Sequence, residues 1–186
     1  MNKSDLRKKA MNTLKALTSD ERLSIEQGIY NHLFNSAYWK NAKTIGVTVS
    51  RGFEWETRPI IEKGWQENKT IVVPKCMPET KGMQFYILTS FDQLESVYFG
   101  LQEPDPELTL PVGKHTIDLL LVPGLLYNLE GFRIGFGGGF YDRFLTDYEG
   151  TSMLVASVMQ QHEPLPVESF DQKVDFLLTE TGIKST

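Results

Sequence analysis

Thr44-Ile45-Gly46-Val47-Thr48-Val49 and Thr70-Ile71-Val72-Val73-Pro74, with Thr57-Arg58-Pro59-Ile60-Ile61 between them, decide the fold. Each flanking run is short, apolar and rich in β-branched residues, as a buried strand is. Pro74 closes the second run, because proline lacks the N–H that a ladder needs. Thr57 can cap a helix, and Pro59 is tolerated in its first turn. Ile60, Ile61 and Trp65 give that helix its apolar side. A strand, a helix and a strand in this order signal a parallel sheet. Working outward, residues 117–122 are the most apolar strand candidate and belong at the centre of such a sheet. Residues 84–88, 153–158 and 174–179 read as further strands, the last of these closing the fold. Residues 79–82 read as a turn, and residues 91–111, rich in Glu, Asp and Pro, as irregular. The expectation is an α/β domain with three layers, a mostly parallel sheet flanked by helices. Ligands in such sheets bind outside the carboxyl ends of the strands. The loops after Val49 and Val122 lie there, so Glu54 and the segment beyond Val122 are expected to face one cleft.

That segment is Gly131-Phe132-Arg133-Ile134-Gly135-Phe136-Gly137-Gly138-Gly139-Phe140-Tyr141-Asp142-Arg143. A glycine-dense turn opening a helix, here residues 140–148, leaves backbone N–H groups free and lets a ligand come close. Phosphate suits such a place best. Arg133 and Arg143 flank it with positive charge, and Asp142 sits in it as a metal ligand or as an early-helix acid that favours the dipole. A plain connecting turn is the competing reading. The dinucleotide pattern G-x-G-x-x-G fails at Phe140, and no G-x-x-x-x-G-K-[ST] loop occurs.

At the start of the chain, Ser4 can cap a helix whose apolar face is Leu6, Ala10, Leu14 and Leu17. Lys3, Arg7, Lys8 and Lys9 crowd its beginning, where cations oppose the dipole. They form either a solvated basic end or, through Lys3 and Arg7 one turn apart, an anion-binding pair. Thr18-Ser19-Asp20-Glu21 has the form of a capping box. Ile25, Ile29 and Leu33, with Tyr30 and Phe34, make the buried face of the helix it opens.

The chain has 186 residues, the length of one domain. Hydrophobic residues at 40% and charged residues at 23% allow a packed core. A net charge of −5 argues against nucleic acid as a partner, since phosphate contacts need a basic face. Cys76 is the only cysteine, so no internal disulfide forms and a reducing compartment is expected. The charged N-terminus lacks the apolar core of a signal peptide, and no run reaches the ~20 apolar residues of a membrane span. A cytoplasmic protein without membrane partners, a monomer or weak homo-oligomer, is expected.

The glycine-rich run, together with Pro123-Gly124 and Glu130, closely resembles the signature of the 5-formyltetrahydrofolate cyclo-ligase family, also called methenyltetrahydrofolate synthetase. Lys3-x-x-x-Arg7, Glu54-Trp55-Glu56-Thr57, Gly100-Leu101-Gln102-Glu103-Pro104 and Val174-Asp175-Phe176-Leu177-Leu178-Thr179 match the family in order, so the resemblance covers nearly the whole chain. Phe136 and Phe140 stand where the family often has tyrosine, which keeps the rings and loses the hydroxyls. The resemblance implies one cyclo-ligase domain over residues 1–186, with a fold of the ribose-5-phosphate isomerase and coenzyme A transferase type. It implies an ATP- and Mg2+-dependent closure of 5-formyltetrahydrofolate to 5,10-methenyltetrahydrofolate through a phosphorylated formyl group, with no side-chain nucleophile. Lys3, Arg7, Arg133, Ile134, Gly135, Phe136, Gly137, Gly138, Gly139, Phe140 and Tyr141 would then bind ATP. Glu54, with Phe136 to Phe140, would bind the folate, and Asp142 and Asp175 would hold Mg2+. Before the resemblance, Asp175 reads as a solvent residue at a strand end.

Overall fold

A computed structural model describes all of residues 1–186. Helix α1 (Lys3–Lys15) is capped by Asn2, whose side chain accepts from Asp5 N at 2.9 Å, and not by Ser4, which falls inside the first turn. Helix α2 (Ser19–Asn35) carries the expected capping box between Thr18 and Glu21. A short α3 (Ala37–Asn41) buries Trp39. Strand β1 (Thr44–Gly46) is shorter than the apolar run, because the Thr48 carbonyl accepts the Thr57 hydroxyl at 2.6 Å and leaves the ladder. Thr57 is thus spent on the strand end and makes no side-chain cap for α4 (Arg58–Gln66).

Strand β2 (Thr70–Met77) runs straight through Pro74, which does not close it. Leu88 N donates to Ile71 O, which sets the phase of pairing with β3 (Gly82–Ile87). Residues 72, 74 and 76 then direct their backbone polar groups away from β3, and Cys76 N meets the Glu103 carboxylate there. Pro74 occupies this side after β1 has ended, so its missing N–H costs nothing. The segment expected to be irregular is ordered instead. It holds a hairpin of β4 (Leu94–Ser96) and β5 (Gln102–Pro104), then β6 (Leu110–Val112) on the edge of the main sheet. Strand β7 (Leu119–Val122) is followed by a small ladder of β8 (Leu126–Tyr127) and β9 (Arg133–Ile134). Helix α5 (Phe140–Leu145) is one turn shorter than expected. Then come β10 (Thr151–Val155), β11 (Phe176–Thr179) and an antiparallel β12 (Gly182–Ser185), so residues 174–179 are not the last strand.

The main sheet has the order β12-β11-β10-β7-β1-β2-β3-β6. Its five inner strands, β11 to β2, are parallel, and the outer three join through antiparallel pairs. Side chains alternate between the two faces, as a strand demands. Leu119 and Leu121 join Ile45, Ile71, Val73 and Met153 under α1 to α4, which contribute Leu14, Ile29, Leu33, Trp39 and Ile60. Leu120 and Val122 face the other way with Val72 and Leu154, against Phe144 of α5. All four residues of β7 are buried, as a central strand's should be. The architecture is the expected α/β sheet with helices on both faces. No helix is long and apolar enough to cross a membrane.

Candidate functional site

The carboxyl ends of β1, β7 and β10 open into a cleft of about 490 Å3, mouth included. Its walls are the loop after β1 (Ser50, Phe53, Glu54, Trp55), the segment after β7 (Pro123, Gly124, Leu125) and Phe136 from the glycine-rich turn. Glu54 and that turn therefore face one cleft, as the strand order required. Phe53 and Phe136 meet across it with ring centroids 6.2 Å apart.

Glu54 Oε2 accepts from Arg51 N at 2.8 Å, and no second partner occupies its carboxylate. Burial pushes its pKa above the ordinary carboxylate range, against the opposing pull of the Arg51 backbone and charge. The loop is held from behind by α2. Arg22 donates to the carbonyls of Glu54 at 3.1 Å, Phe53 at 2.9 Å and Leu14 at 3.1 Å, and Glu26 accepts from Glu56 N at 2.9 Å. Gln160 is the joint of the cleft. Its Oε1 accepts from Trp55 Nε1 and Ser157 N, each at 2.8 Å, and its Nε2 donates to Gly124 O and Leu125 O. Sequence reasoning missed Arg22, Glu26 and Gln160. The i,i+4 spacing of Arg22 and Glu26 offered a faint signal; Gln160, in a proline-containing loop, offered none.

In the glycine-rich turn Phe136, Gly137 and Gly138 are exposed, and Gly135 and Gly139 are half-buried. Gly137 and Gly139 have φ of 106° and 67°, a region other residues enter at a cost. Gly139 stands at the N-cap of α5. No wall of side chains closes over this turn. Arg7 Nε donates to Gly135 O at 2.9 Å, which lays its guanidinium along the turn. Arg143 folds back onto Gly138 O at 2.9 Å.

The other expected phosphate ligands are arranged differently. Lys3 Nζ pairs with Glu168 Oε2 and Asp171 Oδ2, both at 2.7 Å. Burial would lower its pKa, but these hydrogen bonds prevail and raise it, so the ammonium is firmly charged and already engaged. Arg133 does not flank the turn with its charge. Its side chain is 3% exposed, donating to Gln172 O at 2.9 Å and to Asp142 Oδ1 at 3.2 Å. Ile134 is buried with Leu6 and Leu165, so only its backbone can reach a ligand. Phe140 packs its ring beneath Gly138.

Asp142 Oδ1 also accepts from Gln172 N at 3.0 Å, and Asp175 Oδ2 accepts from Ser152 N at 2.8 Å and Ser152 Oγ at 2.7 Å. Each aspartate keeps its other oxygen without a partner. They share no ligand cage: no group of three His, Cys, Asp or Glu residues is gathered anywhere in the chain. Asp175 lies at the amino end of β11, not at a carboxyl end of the sheet.

Tyr141 is the anomaly. Its hydroxyl is shut away from water and has no hydrogen-bond partner. Burial pushes the phenol pKa up, with Cys76 and Glu54 adding to the rise and Arg133 opposing it. An orphaned buried hydroxyl costs about 1–3 kcal/mol. Tyr141→Phe is therefore expected to raise the unfolding midpoint by a few degrees. A lower midpoint, read by thermal melting, would show that the hydroxyl has a partner in solution.

An α/β sheet with an exposed glycine turn beside a cleft at its carboxyl ends defines a ligand-binding α/β domain. Comparison with known proteins narrows the class. The chain belongs to the 5-formyltetrahydrofolate cyclo-ligase family, whose model matches residues 1–180. The Haemophilus influenzae 5-formyltetrahydrofolate cyclo-ligase is 30% identical over 159 residues, covering 83% of this chain and 85% of that protein. The Escherichia coli K12 protein of the same name is 29% identical over 176 residues, 91% of this chain and 95% of the relative. Among solved structures, the Aquifex aeolicus 5,10-methenyltetrahydrofolate synthetase superposes with a TM-score of 0.86 at 30% identity, covering 100% of this chain and 93% of that one.

Proposed function

We propose that this protein closes 5-formyltetrahydrofolate to 5,10-methenyltetrahydrofolate, consuming ATP with Mg2+ and releasing ADP and phosphate, in the cytoplasm. The observation that carries the reading is the position of Phe136. It belongs both to the open glycine turn and to the wall of the Glu54 cleft, so a phosphate on the turn and a ring in the cleft would be neighbours.

The chemistry asks for that adjacency. A formamide carbon is a poor electrophile and its oxygen a poor leaving group. ATP supplies the remedy: its γ-phosphoryl group on the formyl oxygen lets that oxygen depart as phosphate. N10 then bonds to the formyl carbon, loses its proton, and the C–O bond breaks. Holding N10 against that carbon replaces a collision with a pre-oriented step. Phosphoryl transfer needs positioning and charge neutralisation more than a nucleophile. The chain offers those: backbone amides of residues 135–139, the Arg7 guanidinium beside them, and Lys3, Arg133, Ile134, Phe140 and Tyr141 around them. Glu54, with one carboxylate oxygen free, is the acceptor for the pterin's N–H donors, and Phe136 to Phe140 border the ring. Lys3 reaches a phosphate only by exchanging Glu168 and Asp171 for it, and Arg133 acts by holding Asp142 and the turn. Mg2+ commonly takes one or two carboxylates and completes its shell with phosphates and water. Asp142, in the first turn of α5 and with a free oxygen, fits that habit beside the turn; Asp175 also keeps one oxygen free but sits at the amino end of β11, away from the carboxyl-end cleft, and is the weaker ligand.

The test is direct. Purified protein with ATP, Mg2+ and 5-formyltetrahydrofolate should generate the methenyl chromophore and one ADP per product. Product without ATP, or no product, overturns the reading.

A further inference from the structure

The amide of Gln160 joins the two walls of the cleft, and what holds Gln160 in place lies outside it. The residue ends a single helical turn, Val158–Gln160, that follows β10. Val158 and Met159 face solvent, 45% and 39% exposed, so the turn is held by polar contacts. Ser157, fully buried, accepts from Met159 N at 3.3 Å, and Gln160 Oε1 accepts from Ser157 N at 2.8 Å. Behind Ser157 stands Glu180, in the turn between β11 and β12. Its carboxylate accepts from Ser157 Oγ at 2.7 Å and from Val158 N at 3.1 Å. Glu180 is half-buried and has no ion-pair partner, so these two bonds are its whole side-chain support. A charge withdrawn from water without a cation is costly, and a plain strand connection has no need of one. Its backbone is fixed from another side. Helix α2 comes so near at Gly28 that a methyl group there would lie 2.9 Å from Glu180 O. The same helix carries Arg22 and Glu26, which hold the Glu54 loop. The contacts close a ring. They run from the Glu54 loop through α2 to Glu180, then through Ser157 and Gln160 back to Trp55, the neighbour of Glu54.

We propose that Glu180 is a positioning residue of the folate cleft, acting through Ser157 and Gln160. It does not line the cleft itself. The Gln160 amide has four hydrogen-bonding positions, and Trp55 Nε1, Ser157 N, Gly124 O and Leu125 O fill them all. It therefore has one orientation only, and a shift at Ser157 is passed on to Trp55 and Glu54. The positioning role rests on the reading of the cleft as a folate site; the relay from Glu180 to Trp55 does not.

The indole N–H signals of the three tryptophans report the relay in the free protein, by nitrogen-15 NMR and hydrogen exchange. Trp55 is bonded to Gln160, Trp39 to Glu67 and Trp65 to Leu88 O. In Glu180→Ala the Trp55 signal should shift and its N–H should exchange roughly tenfold faster, while Trp39 and Trp65 keep their wild-type values. Glu180→Gln keeps the shape and one acceptor, so it should recover about half of that change on a logarithmic scale. In turnover, KM for 5-formyltetrahydrofolate should rise roughly three- to tenfold in Glu180→Ala, the scale of coupling along one hydrogen-bonded chain. The kcat at saturating folate should fall less than about twofold, because bound substrate then holds the loop. An unmoved Trp55 signal, or equal movement of all three, overturns the proposal. So does a Trp55 signal that moves while KM stays at the wild-type value. Were Glu180→Ala not to fold, the same readings on Glu180→Gln decide. A wild type that makes no product overturns the folate reading instead, and the indole signals still decide the relay.

Discussion

Asp142→Ala is expected to lose about 3–5 kcal/mol of folding stability as well as nearly all turnover. The alanine strands Arg133, whose guanidinium is 3% exposed and has Asp142 as its only ion-pair partner. Burial already lowers the pKa of that guanidinium, and Asp142 is the first of the groups that restore it. The same carboxylate fastens Gln172 N, so the segment ahead of β11 loosens too. An inactive alanine variant would therefore say little about metal. Asp142→Asn separates the roles. The amide oxygen still accepts from Gln172 N and Arg133, so a smaller stability loss is expected, while the proposed Mg2+ ligand loses its charge. Turnover should fall by about a hundredfold or more, the scale seen when one electrostatic stabiliser is removed, and the Mg2+ concentration for half-maximal rate should rise. Urea midpoints and Mg2+ titrations of both variants decide it. Wild-type turnover in Asp142→Asn would take Asp142 out of the metal site; a wild-type midpoint in Asp142→Ala would deny the ion pair.

The parts of the fold that were legible in the sequence are those whose cause is local. The strand, helix and strand of residues 44–73 announce themselves by composition, and β7 by four apolar residues in a row. The capping box at Thr18 is complete within four residues. What escaped has its cause elsewhere in the chain. Strands β8 and β9 have two residues each and exist because Leu126 finds Ile134 and Tyr127 finds Arg133. Strand β12 is half polar and is set by its register on β11. Pro74 reads as a breaker until the phase of β2 against β3 is known. The site divides in the same way. The glycine turn and Glu54 are visible as residue types in a telling position. The engagement of Lys3 by Glu168 and Asp171, over 160 residues away, is not, and neither is the inward turn of Arg133.

Glu54→Gln should weaken folate use and strengthen the fold, two effects of one buried charge. A carboxylate facing N–H donors makes charge-assisted hydrogen bonds worth about 1.5–3 kcal/mol, so KM for 5-formyltetrahydrofolate should rise roughly ten- to a hundredfold while KM for ATP changes little. Stability moves the other way. Burial raises the folded-state pKa of Glu54, so the folded protein holds its proton to higher pH than the unfolded chain does. The stability this contributes is complete below the unfolded value and is lost as pH rises through the folded one. At pH 8 the wild type therefore bears the cost of a half-buried charge that glutamine does not carry, and the variant should melt higher. Near pH 4, where the carboxyl is largely protonated in the fold, the two melting points should converge. Ligand should reverse the order at pH 8, because donors arriving at the free Glu54 oxygen offset the cost of its charge, and glutamine cannot match them. A glutamine variant less stable than wild type at pH 8 without ligand would mean that Arg51 already satisfies this carboxylate, leaving nothing in reserve for a substrate to claim.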